Sequence, residues 1–430
     1  MLQTLRNAWK IEDLRKKLIY TMFILFVVRL GTAIPVPFLD PTALKAMINS
    51  GGNLLGYLDV LTGGALGNAT LLALSITPYI TSSIVIQLLT VAIPALERMA
   101  KNGEDGQKKI KKISRYTTVG LAVLQAFAFY TMFRNGYGAV EYTTGFEGVL
   151  AAITIIAAFT AGAMLVVWLG ERIDSKGIGN GISLILFVGI VSRGPGAIYR
   201  LIVDNIPRGP QYYFLVPLVG IVFILLIGFI VIMNNAERRI PVLYAKKVVG
   251  RKMYGGQSSF IPIKVNMSGV LPVIFASTFL SIPGTIKGFI YPNGGDGFWF
   301  NFLKLFDYDT WMYAILYFIL IIGFNYFYIA IQYNPVEMAN NIRKNNGAIP
   351  GIRPGKPTSD FITKIISKVT LVGALMLAVI AILPIILGAV ASMNIALGGT
   401  SIIILVGVAL DTVRSLESQM MMRHYKGFLE

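Results

Sequence analysis

Cysteine is absent from this 430-residue chain, and histidine occurs once, as His424. Without thiols there can be no disulfide, no thiolate metal site and no cysteine nucleophile. One histidine near the end of the sequence argues against a histidine-based catalytic pair in the interior and against a multi-histidine metal centre. Charge is scarce as well. Asp, Glu, Lys and Arg make up 14% of the residues, where a soluble protein carries about 25%. What fills the space is apolar: 55% of residues are hydrophobic, with a mean hydropathy of +0.67. The apolar stretches are long and recur along the whole chain, which places it among polytopic membrane proteins.

Ten spans are predicted, at roughly 18–36, 70–92, 115–134, 149–170, 181–203, 212–234, 269–290, 311–333, 368–388 and 400–420. Each is near the ~20 residues that cross ~30 Å of hydrocarbon. An even number puts both ends on one side of the membrane. The net charge of +17 then finds a use. Most Lys and Arg fall before the first span, after the second, fourth, sixth and eighth, and after the tenth. The opposite side has Lys45, Arg134, Arg193, Arg200, Arg208, Lys287 and Lys304. The positive-inside rule assigns both termini to the cytosol. The three arginines after the fifth span are the least comfortable part of that assignment. The first thirty residues imitate a signal peptide, but Arg29 interrupts them and no small-x-small site precedes "IPVP", so cleavage is not expected. Arg29 is the one charge counted inside a span, with Arg193 and Arg200 counted in the loop after the fifth span. An arginine at mid-span costs about 2.5–3.5 kcal/mol, so Arg29 is expected to snorkel outward or to face other helices.

Carboxylates are missing from the span centres, Asp411 of the tenth span apart. Ion-coupled transporters usually need them there, selective ion channels use charged rings or carbonyl filters, and intramembrane proteases need a nucleophile with a base or an aspartate pair. "GIGNG" (177–181) and "GIRPGKPT" (351–358) are glycine-rich, but neither has the spacing of a nucleotide-binding loop. The chain is therefore not expected to be an enzyme or to bind a cofactor or metal, and its energy should come from a partner. A conduit, an ion-coupled secondary transporter and a structural membrane scaffold remain as classes, the transporter disfavoured by the missing carboxylates. Ten spans split five and five, and an odd number per half inverts the second half relative to the first, as suits a pathway between them.

The segment "LGYLDVLTGGALG" before the second span is too apolar for an ordinary loop and too glycine-broken for a membrane helix. Two long basic loops follow the sixth and eighth spans. "RRIPVLYAKK" alternates enough, close enough to a "YGG" turn, to predict a projecting hairpin. Such concentrated cations on projections suit an acidic protein face, RNA phosphates or lipid headgroups.

The strings "RLGTAIPVP", "GGALGNATLLALSITPYITSSIVIQLLTVAIP", "WLGERIDSKGIGNGISLILFVGIV", "RRIPVLYAKK", "KVNMSGVLPVIFAS", "PGIRPGKPT" and "LGGTSIIILVGVALD", in this order, resemble the SecY/Sec61-alpha family of protein-conducting channels. The resemblance runs from about residue 11 to 425. It implies an all-α polytopic membrane protein: ten transmembrane helices in two inverted five-helix halves around a central hourglass pore, with a short plug helix. The corresponding boundaries are 1–17 for a cytosolic segment, 18–203 for the first half with a plug at about 55–68, and 204–211 for an external hinge loop. The second half is 212–420, with cytosolic loops at about 235–268 and 334–367, and 421–430 is a cytosolic tail. Matching the family's aliphatic pore ring gives Ile76, Ile80, Ile182, Leu186, Ile274 and Ile404. The plug is Tyr57, Leu58, Asp59, Val60, Leu61, Thr62, Gly63, Gly64, Ala65, Leu66 and Gly67. Gln87 falls in the polar seam of a lateral gate between the second and seventh spans. Arg353 matches the family's docking arginine, with Arg238, Arg239, Lys246, Lys247, Arg251, Lys252, Arg343, Lys344 and Lys356 around it. The implied partners are SecE, SecG, the SecA ATPase, the ribosome with its RNA, secretory polypeptides bearing signal sequences, and membrane lipids. The implied location is the bacterial plasma membrane, with both termini cytosolic.

Overall fold

The computed structural model describes residues 2–50, 59, 62–136, 138–244, 247–249, 252–254, 258–291, 295, 297–307, 310–391 and 398–426. The chain is mostly helical. The first half contains α1 (Leu2–Lys10), α2 (Glu12–Gly31), α3 (Pro41–Ser50), α4 (Thr77–Ala92), α5 (Pro94–Lys101), α6 (Gly103–Gly136), α7 (Gly145–Lys176) and α8 (Gly181–Asn205). The second contains α9 (Tyr212–Asn235), α10 (Leu271–Ile290), α11 (Phe298–Lys304), α12 (Trp311–Gln332), α13 (Pro335–Lys344), α14 (Lys356–Ala391) and α15 (Gly399–Lys426). Ten of these stand where the ten spans are predicted.

Among the described residues, seven helices are individually long and apolar enough to cross a membrane: α6 to α9, α12, α14 and α15. The pair α4 and α5, bent by 106° where Ile93 precedes Pro94, is long and apolar enough only when the two are taken together. The residue before proline is pushed to extended backbone, and Ile93 has φ −108° and ψ 113°. The other two predicted spans fall on α10 and α2. In α10 the apolar part is Leu271–Gly284. In α2 the basic "LRKK" start is helical, so the helix occupies Glu12–Gly31 rather than 18–36. It ends in a turn at Thr32 and Ala33, just before Pro35, which cannot continue a helix.

The largest departure from expectation is at the second span. The helix begins at Thr77, with Pro78 in its first turn, and not near residue 70. Residues 62–69 and 71–76 are successive turns. Ala69 (φ 52°) and Ser75 (φ 47°) sit in the left-handed region, where a right-handed helix cannot propagate. This irregular segment has its backbone stitched to the chain after α2, with Val36 N–H donating to Ala69 O at 2.8 Å and Leu71 N–H to Ile34 O at 2.9 Å. It also lies directly on α7. A Cβ on Gly162 would stand 1.9 Å from Leu71 O. Gly162→Ala is therefore expected to force α7 away from the segment at a cost of about 1–3 kcal/mol, read as reduced membrane abundance at growth temperature.

Apolar packing separates by sequence half and then rejoins. One cluster joins α9, α10, α12, α14 and α15 through residues such as Ile230, Val273, Tyr317, Leu377 and Ile403. Another joins Val36, Leu66 and Leu74 to α6 and α7 through Phe133 and Phe159. A third contains residues of both halves. "GIGNG" is the turn between α7 and α8. Asn180 accepts from Ser183 N–H at 3.0 Å as the cap of α8, and Gly181 N–H donates to Asp174 Oδ1 at 2.7 Å.

Both ends of the chain lie on one face. Ala8 and Leu14 pack with Ile178 and Leu416, and Thr4 Oγ1 donates to Glu417 Oε1 at 3.1 Å. The long loop after α9 emerges on that face, since Arg414 donates to Asn234 O at 2.7 Å. The predicted hairpin is present: β1 (Glu237–Tyr244) pairs antiparallel with β4 (Ser258–Lys264), placing Pro241 opposite Phe260. Between them, β2 (Lys247–Val249) and β3 (Lys252–Tyr254) form a smaller hairpin. The second basic loop is not a separate projection. Its β5 (Gly347–Ala348) pairs with Leu243 and Tyr244 of β1, giving a three-stranded sheet in the order β4-β1-β5. Ile240, Val242 and Ile263 on its buried side pack with Ile342 of α13 and with Ile362 and Ile366 of α14.

Candidate constriction, seal and docking face

All six candidate ring residues enter the cluster shared by the two halves. Ile76, Leu186 and Ile404 are buried in it, and Ile80, Ile182 and Ile274 pack against it half-exposed. They come from the residue preceding α4, from α4 itself, and from α8, α10 and α15. Ile76 and Ile80, like Ile182 and Leu186, are four residues apart, a spacing that stacks two side chains on one helical face. The leucine at 186 is aliphatic like the other five. Such a cluster offers ions and water no hydrogen-bonding partner.

Against this cluster sits the glycine-broken segment. Ala65 (0% exposed) belongs to the ring's own cluster, and Leu66 (2% exposed) to the cluster of the first half. Of the candidate plug residues, Asp59 and residues 62–67 are all buried. Tyr57, Leu58, Val60 and Leu61 lie outside the described residues. Residues 62–67 run as turns, with Gly63 (φ 67°) and Gly64 (φ 90°) in backbone that only glycine adopts freely. The segment is held by charge from two helices. Arg29 of α2 donates from Nη1 to Gly63 O at 2.8 Å. Arg193 of α8 donates from Nη2 to Asp59 Oδ2 at 2.5 Å, while Asp59 Oδ1 accepts Gly67 N–H at 2.7 Å.

Arg193 is a correction to the sequence reading, which counted it in an external loop. It stands on α8, which continues to Asn205 with Pro195 inside it. Arg29 faces this segment rather than simply snorkelling. The signal that could have found the pair was present: Asp59 is the only acid between Asp40 and Glu97, and Arg193 lies in a stretch without acids from Asp174 to Asp204. Two opposite charges, each costly alone in apolar surroundings, invite pairing.

Gln87 is half-buried on α4. Helix α4 packs mainly against α6, and α10 mainly against α12. Each of the two prospective gate helices is thus rooted in its own half, while Ile80 and Ile274 bring them to the shared cluster.

On the terminal face the candidate docking cations share one platform. Arg238 and Arg239 are exposed on β1, Arg343 and Lys344 at the end of α13, and Arg353 and Lys356 in and after the turn that precedes α14. Arg239 lies over the Phe260 ring at 4.8 Å and donates to Glu237 Oε1 at 2.6 Å. Arg353 sits between Gly351 (φ 79°) and Gly355 (φ 107°), before Pro354, and its carbonyl accepts from Thr358 Oγ1 at 2.8 Å. Lys247 and Lys252 lie on β2 and β3. Lys246 and Arg251 lie outside the described residues.

Comparison with known proteins decides the family. A SecY family profile matches residues 70–413. The chain is 42% identical over 440 residues to the protein translocase subunit SecY of Streptomyces coelicolor, covering 100% of both chains. The chain belongs to the SecY family. A second member, the protein translocase subunit SecY of Mycobacterium tuberculosis, is 39% identical over 447 residues, again covering 100% of both. Solved structures extend the likeness at the level of fold. One described as the structure of a protein conducting channel superposes with a TM-score of 0.65 at 19% identity, covering 94% of this SecY-family chain and 92% of the other. Sec61 in a canine ribosome-channel complex superposes with a TM-score of 0.62 at 18% identity, with the same coverage. A third, at TM-score 0.68, is described by the role of its plug domain in stabilising the closed state and maintaining a membrane seal.

Proposed function

We propose that this multi-pass membrane protein is the channel subunit of a bacterial protein translocase, passing unfolded secretory polypeptides between its two halves and releasing apolar segments sideways into lipid. The observation that carries the proposal is the single aliphatic cluster that gathers Ile76, Ile80, Ile182, Leu186, Ile274 and Ile404 from both halves, with Ala65 packed into it. A coupled transporter would put ionisable groups there and a scaffold would need no such meeting point. Residues 18–203 and 212–420 act as the halves and 204–211 as the hinge. Lateral exit lies between α4 and α10, past Gln87. An apolar span of about 20 residues leaving there gains the hydrocarbon it prefers to water.

The chain carries no catalysis in this proposal. A SecA ATPase or a ribosome supplies the drive, SecE and SecG complete the membrane complex, and both termini lie in the cytosol of a cell whose plasma membrane holds the complex. The terminal face is the basic one, as the positive-inside rule requires of a cytosolic face. Site-specific crosslinking of a stalled secretory chain tests the central step. Crosslinkers at the half-exposed positions 80 and 274 should capture the chain in transit, and a scaffold would give no adduct at either.

The docking face has its own test. Arg353 is a single exposed arginine in a turn stiffened by proline and two left-handed glycines, which favours contact with a partner over a role in topology. Arg353→Glu is expected to reduce ATP-dependent translocation into inverted vesicles by about ten-fold or more, consistent with the 2–5 kcal/mol attached to breaking an interfacial charge contact. Membrane abundance should stay normal. Normal translocation by this variant would remove Arg353 from the docking surface.

A further inference from the structure

We infer that Asp59 and Arg193, seconded by Arg29, form an ionic latch that sets how readily the plug segment leaves the constriction; the inference rests on the plug reading of that segment. Three contacts converge on a few residues. The Asp59 carboxylate is shared, with Oδ2 on Arg193 Nη2 at 2.5 Å and Oδ1 on Gly67 N–H at 2.7 Å. One acid therefore both folds the segment on itself and fastens it to α8. Arg29, from α2, grips the same segment at Gly63 O at 2.8 Å. The backbone approaches α8 as closely as atoms allow. A Cβ on Gly64 would stand 2.4 Å from the Arg193 guanidinium, and one on Gly63 would stand 3.0 Å from Gly189 Cα.

The solvation of this pair suits a contact that must break. The Arg193 side chain is 30% exposed and that of Asp59 11%. Water is excluded enough for the attraction to exceed that of a surface pair, and present enough to receive the charges when they part. Arg193 Nε is buried with no acceptor among the described residues, so the guanidinium depends heavily on Asp59. When the segment moves out, Arg193 loses its carboxylate and Arg29 its carbonyl. The wall left behind is more positive, and the only acid between Asp40 and Glu97 leaves with the segment. That charge distribution draws the segment back, so the latch both resists opening and favours reclosure. The aliphatic collar has no part in this, since its seal is apolar and indifferent to charge.

The test uses the complete translocase complex in planar bilayers, with membrane abundance measured in parallel. Arg193→Gln and Asp59→Asn are each expected to raise the fraction of time conducting about ten-fold, equivalent to about 1.4 kcal/mol of closed-state stability. The charge swap Asp59→Arg with Arg193→Asp should recover most of the loss, as coupled partners do. Arg193→Lys keeps the charge without the planar fork and should fall between wild type and Arg193→Gln; it stands in if Arg193→Gln fails to accumulate. Deleting residues 57–67 should conduct more than any of them. If the deletion conducts while both single variants stay as silent as wild type, the latch is overturned and the plug reading stands. A swap as leaky as the singles, at normal abundance, also overturns the pairing. A silent deletion overturns the plug reading and takes the latch with it.

Discussion

Removal of residues 57–67 is expected to turn a silent channel into a conducting one without preventing its assembly. The cluster of α9, α10, α12, α14 and α15 draws nothing from this segment, nor does the cluster under the sheet on the terminal face. The stitching of Val36 to Ala69 and of Ile34 to Leu71 lies outside the deletion, so α2 and α4 keep their connection. Among the described residues, what is lost is local: the buried Ala65 and Leu66, the Asp59–Arg193 pair and the grip of Arg29 on Gly63. Burial of one leucine amounts to about 1.5–3 kcal/mol. Even 3 kcal/mol alone would hold a closed state roughly a hundred-fold over an open one, at about 1.4 kcal/mol per factor of ten. Without it, the half-exposed Ile80, Ile182 and Ile274 must seal the pore as flexible branched side chains. Single-channel recordings of the reconstituted deletion complex should show frequent ion current where wild type shows almost none. Matching silence would leave the segment as a packed external loop.

How much of this was legible beforehand depends on where the information lies. The spans were legible because a membrane demands long apolar runs, a demand each segment meets by itself. The hairpin was legible from local alternation in "RRIPVLYAKK". The start of α4 was not, because the run from Ala69 is as apolar as the helix that follows it. Only the left-handed backbone at Ala69 and Ser75 separates the two, and tertiary contacts impose it. The bond between the two basic loops was also hidden. Gly347 and Ala348 carry no strand signal, and they pair because α13 delivers them to the edge of β1. The Asp59–Arg193 pair joins residues 134 positions apart, so no local pattern connects them. The candidate ring positions come from the strings shared with the SecY family. Their apolarity alone would not have separated them from dozens of other isoleucines and leucines. What the structure adds is a difference among these six candidates, three buried and three half-exposed.

That difference bears on the double substitution Ile80→Asn with Ile274→Asn. Both side chains are only partly buried, and they approach the shared cluster from α4 and α10, on opposite sides of the prospective gate. An asparagine at either can keep its amide hydrated, so the usual penalty for burying a polar group without a partner is largely avoided. The cost falls on the closed state. Losing aliphatic contact across the collar is worth about 1–3 kcal/mol, enough to shift a finely balanced closed–open equilibrium ten-fold or more. The expected result is a higher ion leak per molecule at near-normal membrane abundance, with passage of precursors whose signal sequences are defective. Ile76 provides the contrast, being 0% exposed in the same cluster. Ile76→Asn should bury an amide with no compensating water and lower the amount of protein in the membrane. Abundance and current measured on the same preparations separate the two outcomes. If the double variant instead behaves as Ile76→Asn should, scarce in the membrane and no leakier per molecule, Ile80 and Ile274 belong to the packed core and the pore runs elsewhere.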